Sequence, residues 1–135
     1  MTQEDKELLL KDLCARLPYR VKVSYYSIEE ERETWDEIES VTLDGYVDIG
    51  QYSLSIEHIK PYLFPMSSMT DEQKREYNNL QCYVPFYYYE YKELIEEIEL
   101  HPTLESFEYL IKNHFDFRSL IKKGLAIDAT GLNIY

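Results

Sequence analysis

IKPYLFPMSSMTDEQ, residues 59–73, is the stretch on which the fold turns. Pro61 and Pro65 each fix φ, remove a backbone donor and push the preceding residue toward an extended conformation. Neither a regular helix nor a central strand is therefore expected through residues 60–64. Thr70 then opens a helix, with Gln73 at the spacing of a capping box. Ile59, Tyr62, Leu63, Phe64, Met66 and Met69 are too apolar for a free linker. They are expected to pack under a sheet and fasten two halves together, as a structural connector rather than a binding loop.

Upstream, residues 2–17 read as an amphipathic helix. Leu9, Leu10, Leu13 and Leu17 fall at helical spacing, Thr2 is the N-cap, Glu4 and Asp5 suit the first turn, and Pro18 stops the helix. Residues 19–26 alternate, with Val21, Val23 and Tyr25 on one side. Residues 28–36 read as a charged connection. Strands follow at 37–43, 46–49 and 52–56, with Asp44-Gly45 as a hairpin turn. A short helical turn is expected within 56–62.

Downstream, residues 70–80 read as a polar helix and 81–86 as extended. Residues 87–100 return to helical spacing, with Tyr87, Tyr91, Leu94, Ile95 and Ile98 on one face and Glu90, Glu93 and Glu97 on another. Thr103 caps a further helix. Asp116 caps a last short one that ends at Gly124, and Leu125 to Ile127 form a final strand. Residues 130–135 are expected to be loose. The fold class is α+β: an N-terminal helix, a small antiparallel meander or SH3-like barrel, then a C-terminal helical part. The expected organisation is a single domain, 1–135, with 1–63 as helix plus small sheet and 64–135 mainly helical and packed on it.

Three segments carry a resemblance: residues 6–23 (KELLLKDLCARLPYRVKV), residues 59–77 (IKPYLFPMSSMTDEQKREY) and residues 102–129 (PTLESFEYLIKNHFDFRSLIKKGLAIDA). Together they cover roughly half the chain. They resemble a family of short uncharacterised proteins from gut Bacteroidales genomes and their phages or mobile elements. The resemblance implies a prokaryotic or phage intracellular setting and carries over no catalytic residue.

No uninterrupted apolar run is long enough for a transmembrane helix, and the acidic N-terminus lacks the features of a signal peptide. Cys14 and Cys82 match no metal spacing and read as buried free thiols in a reducing cytoplasm. A net charge of −12 disfavours phosphate-driven nucleic-acid binding and anionic membranes, and favours basic partners. Between Ile28 and Asp48 nine acidic residues stand against Arg32 alone.

Catalytic motifs are missing: there is no glycine-rich phosphate loop, nucleophile elbow, HExxH or CxxC pattern. His58, His101 and His114 form no close pair with one another or with a cysteine, so neither metal nor cofactor is expected. Asp44 and Asp48 could offer neighbouring carboxylates, but turn chemistry and solvation account for both. Arg118, Lys122 and Lys123 make one basic patch on a helix pair that resembles a helix-turn-helix, with few side chains suited to base edges.

Fourteen tyrosines are the compositional surprise, and tyrosine suits interfaces. Tyr87, Tyr88, Tyr89 and Tyr91 cannot all face one core. The leading expectation is a non-enzymatic protein-interaction or accessory module, with those tyrosines meeting a protein partner or a second copy. The alternative is an acidic inhibitor that imitates nucleic acid through Glu29, Glu30, Glu31 and Glu33. An enzyme with a spatially assembled site and a DNA-binding regulator complete the set.

Overall fold

The computed structural model describes residues 1–135. The chain is α+β, and it divides into two compact units, Met1–Ser68 with Ile111–Tyr135, and Met69–Leu110. The division is discontinuous in sequence, rather than a single break near residue 63.

The first unit opens with α1 (Gln3–Arg16). Thr2 Oγ1 accepts from the Asp5 N–H at 3.1 Å, a cap worth about 1 kcal/mol. Leu9 and Leu13 of α1 are fully buried, and so are Asp12 and Arg16 one turn apart. Cys14 lies a little over a quarter turn from Leu13, outside this face, and is exposed rather than buried. Pro18 sits in a 3-10 turn (Leu17–Tyr19), and Arg20 then takes a positive φ of 61°.

β1 (Lys22–Ser27) follows, with Val23, Tyr25 and Ser27 turned inward as the alternation requires. β2 (Arg32–Glu37) pairs with it antiparallel over its full length. The charged connection expected at 28–36 is thus mostly strand. Its polar and charged side chains lie on a hairpin whose partner strand supplies the buried groups. β3 (Ser40–Val41), β4 (Tyr46–Ile49) and β5 (Tyr52–Ser55) form the expected antiparallel meander. Gly45, at φ 89°, makes the turn between β3 and β4 that a side chain would strain. A 3-10 turn (Ile56–His58) leads to β6 (Lys60–Pro65).

β6 corrects the expectation drawn from its prolines. It is central: antiparallel to β1 through Lys60 and Pro61, and parallel to two later strands. Pro61 and Pro65 lie near the two ends of the strand, so Tyr62, Leu63 and Phe64 keep their donors. Ile59 and Leu63 enter the core beside Leu9, Val21, Val47 and Ile56.

The second unit begins with Met69 buried and α2 (Asp71–Asn79). The Thr70 hydroxyl accepts from Gln73 N–H at 3.1 Å and the Gln73 side chain accepts from Thr70 N–H at 2.9 Å, completing the capping box. β7 (Cys82–Glu90) and β8 (Glu93–His101) then pair only with each other. The helix expected over 87–100 is therefore a hairpin. Tyr, Phe, Val and Ile favour strands, and Leu94, Ile98 and Leu100 also satisfy a period of two. Cys82, at the start of β7, is exposed as well. α3 (Leu104–Lys112) follows, its first turn held by the Thr103 hydroxyl, which accepts from Ser106 N–H at 3.1 Å.

The chain is back in the first unit from Ile111, and β9 (Phe115–Asp116) and β10 (Ile127–Asp128) there both run parallel to β6. Between them residues 117–124 form turns, not a helix. Asp116 does cap them: its carboxylate accepts from the N–H groups of Leu120 and Ile121, each at 2.9 Å. Gly124 has the expected left-handed conformation, φ 74°. The tail is fixed, not loose. The Tyr135 hydroxyl donates to Tyr62 O at 2.8 Å and accepts from Lys22 N–H at 3.0 Å, and Ile134 is buried.

Candidate interaction surface

The β7–β8 hairpin is the most exposed regular element of the protein. Its register runs from Cys82 opposite His101 to Glu90 opposite Glu93, closed by Tyr91 and Lys92. Both loop residues have positive φ, 49° and 70°, the conformation of a two-residue turn that follows the right-handed strand twist.

Opposed residues share a face, so the register sorts the side chains. Tyr83, Pro85, Tyr87 and Tyr89 of β7 lie on one face with Leu100, Ile98, Glu96 and Leu94 of β8. Tyr89, Leu94 and Ile98 there are 75%, 60% and 64% exposed. The other face carries Val84, Phe86 and Tyr88 opposite Glu99, Glu97 and Ile95. On it the Phe86 and Tyr88 rings lie 5.7 Å apart, and the Tyr88 hydroxyl donates to Glu97 at 2.9 Å. That bond to a carboxylate raises the Tyr88 pKa.

The four tyrosines singled out in the sequence are thus split. Tyr87 and Tyr89 share the apolar face, Tyr88 lies on the acidic one, and Tyr91 occupies the turn at 94% exposure. Glu90, Glu93 and Glu97 still share a face, although the element is a hairpin, and Glu99 joins them. A two-stranded hairpin is marginal in water by itself. Cross-strand pairs add about 0.2–1 kcal/mol each, but Glu90 directly opposite Glu93 opposes pairing. Within the same unit Tyr109 donates to Glu76 at 2.9 Å and packs near Tyr77. Burial first, and then the Glu76 bond, push the Tyr109 hydroxyl up to about 12.

The acidic cluster belongs to the first unit. Glu29, Glu30 and Glu31 lie in the exposed β1–β2 turn, and Glu33 lies exposed on β2. Three of them have local partners. Glu29 accepts from the Gln51 amide at 2.7 Å, Glu30 pairs with Arg32 at 3.1 Å, and Glu33 accepts from Ser24 at 3.4 Å. Nearby, a shallow depression of about 650 Å³ is lined by Tyr26, Glu33, Glu57, His58, Lys60 and Ile127, among others. Glu57 there is paired with Lys6 on α1, and that bond lowers its pKa.

Other sequence candidates resolve into structural roles. The Asp48 carboxylate accepts from the Ser40 hydroxyl, and bonds from Ser40 and Ser53 hold its pKa below the usual range. Asp44 accepts from Thr42 within its turn. Arg118, from the basic patch, pairs with the buried Asp12 at 3.2 Å, and the second helix of the imagined DNA reader is replaced by turns.

His114 stacks on Tyr135 at 3.7 Å, and burial, followed by the charges of Arg16 and Lys22, lowers its pKa to about 4. Sequence reasoning missed this pair, together with the buried Asp12–Arg16 ion pair. An acid and a base four residues apart on the inner side of α1 were the available signal for the second.

No three His, Cys, Asp or Glu side chains are placed to hold a metal ion together, and no helix is long and apolar enough to cross a membrane. Comparison with known protein families, with curated proteins and with solved structures finds no match.

Proposed function

We propose that this protein is a non-enzymatic protein-interaction module whose contact element is the β7–β8 hairpin. It would act in the cytoplasm as an accessory protein of a phage or mobile element, the setting that the sequence resemblance implies. The observation that carries the reading is the exposed apolar face of a hairpin that has no third strand. Tyrosine supplies large contact area at low side-chain entropy cost, and exposed apolar patches of this kind mark interaction sites. The test is a photo-cross-linking benzophenone placed at Tyr89 in living host cells, with the same group at Tyr46 on β4 as control. Tyr46 is also exposed, at 48%. Discrete adducts from position 89 and none from 46 are expected. Identical patterns, or none, would remove the reading.

A second reading, an acidic inhibitor that imitates nucleic acid, is favoured by the glutamate row on β8. Alternate residues of a strand stand about 6.8 Å apart, which places Glu97 and Glu99 as neighbouring charges on one face. Glu29, Glu30, Glu31 and Glu33 supply a separate acidic turn. Reversing those four to Lys abolishes capture of a basic nucleic-acid enzyme if this reading holds. Unchanged capture rejects the role of the turn.

A further inference from the structure

Hairpin geometry decides which backbone groups of β8 face outward. A two-residue loop is closed by a hydrogen-bonded pair, here Glu90 and Glu93, and bonded and non-bonded pairs alternate from there. Leu94, Glu96, Ile98 and Leu100 fall in the non-bonded pairs. Their N–H and C=O groups point away from β7, along an edge that no other strand covers. The outer edge of β7 is different. Pro85 also lies in a non-bonded pair, so its missing N–H interrupts that edge. One side of the hairpin is blunted by proline, and the other has no proline and no strand paired to it.

Charge then selects what can pair there. β8 carries Glu93, Glu96, Glu97 and Glu99, and Glu96 makes no ion pair. A second copy pairing through the same edge would set glutamate beside glutamate, in a chain already at −12. A basic strand meets the opposite field.

We propose that the free edge of β8 receives an extended segment of a basic partner protein by strand addition. This rests on the hairpin being the contact element. Side chains of the added strand alternate between faces. Lysine or arginine at every second position would lie beside Glu97 and Glu99. Apolar residues at the positions between would lie beside Leu94 and Ile98. Main-chain bonds supply affinity and the alternation supplies specificity.

The experiment titrates the full chain against labelled peptides of about ten residues, the upper range of ordinary strands, read by fluorescence anisotropy. One peptide alternates arginine and valine. A second has the same composition in two blocks, and a third alternates glutamate and valine. Only the first is expected to bind, and more weakly as salt rises. Glu97→Lys with Glu99→Lys is expected to weaken it by about tenfold or more. Ile98→Pro removes one outward N–H without touching a β7–β8 bond, and is expected to weaken it similarly.

Equal binding of the blocked peptide, binding of the glutamate peptide, or no binding at all overturns strand addition. So does a concentration-dependent dimer that excludes the peptide. Should Ile98→Pro unfold the hairpin, the charge-reversed variant decides. Cross-links at position 89 without peptide binding would remove strand addition and leave the interaction-module reading standing.

Discussion

Asp12 and Arg16 show how much a single buried pair commits. Arg16 is fully buried, bonded to Asp12 at 2.7 Å and donating to Phe115 O at 2.6 Å. Asp12 also receives Arg118. Removing Asp12 leaves a buried guanidinium without its counter-charge. Asp12→Ala is therefore expected to cost about 3–5 kcal/mol, read as a lower urea midpoint at unchanged slope.

His114 gives a pH signature. Its folded pKa is lowered from 6.5 to about 4, so the unfolded chain binds this proton first as pH falls. Stability is fully present above 6.5 and declines as pH drops through the window down to 4. His114→Asn keeps a residue that tolerates the local φ of 62° and is expected to flatten that decline. Denaturant titrations between those pH values check it.

At the scale of elements, the hairpin and the central strand stand at opposite ends. β6 is paired to β1, β9 and β10, and Leu63 is fully buried. β7 and β8 have only each other, and nearly every side chain on them is exposed. Hydrogen exchange is expected to reflect this. Bonded amides of β7 and β8 should exchange at least about a hundredfold faster than those of β1 and β6, measured by native-state exchange with mass spectrometry. Equal protection would mean that the hairpin is already covered.

The same contrast explains which elements could be read in advance. α1, α2, the turn at Gly45 and the start of α3 each depend on residues within one or two turns of one another, as with Thr70 and Gln73. The hairpin over 82–101 was hidden because Tyr87, Tyr91, Leu94, Ile95 and Ile98 also fit a helical period. Its Tyr-Lys turn lacks the Asn-Gly chemistry that announces a hairpin.

Across the whole molecule, the α+β class, the capped helices, the β3–β5 meander and the acidic charge of −12 are legible in the residues alone. These follow from local periodicity, capping chemistry and composition, which need no distant partner. Tertiary structure alone decided that β6 is central, that the tail is fixed by Tyr135, and that the chain returns to its first unit at Ile111. It also decided that Tyr87 and Tyr89 share a face that Tyr88 does not. Each of these rests on strand pairing or a hydrogen bond between separate segments. Partner choice across such separations depends on which buried surfaces and unpaired backbone groups meet in space.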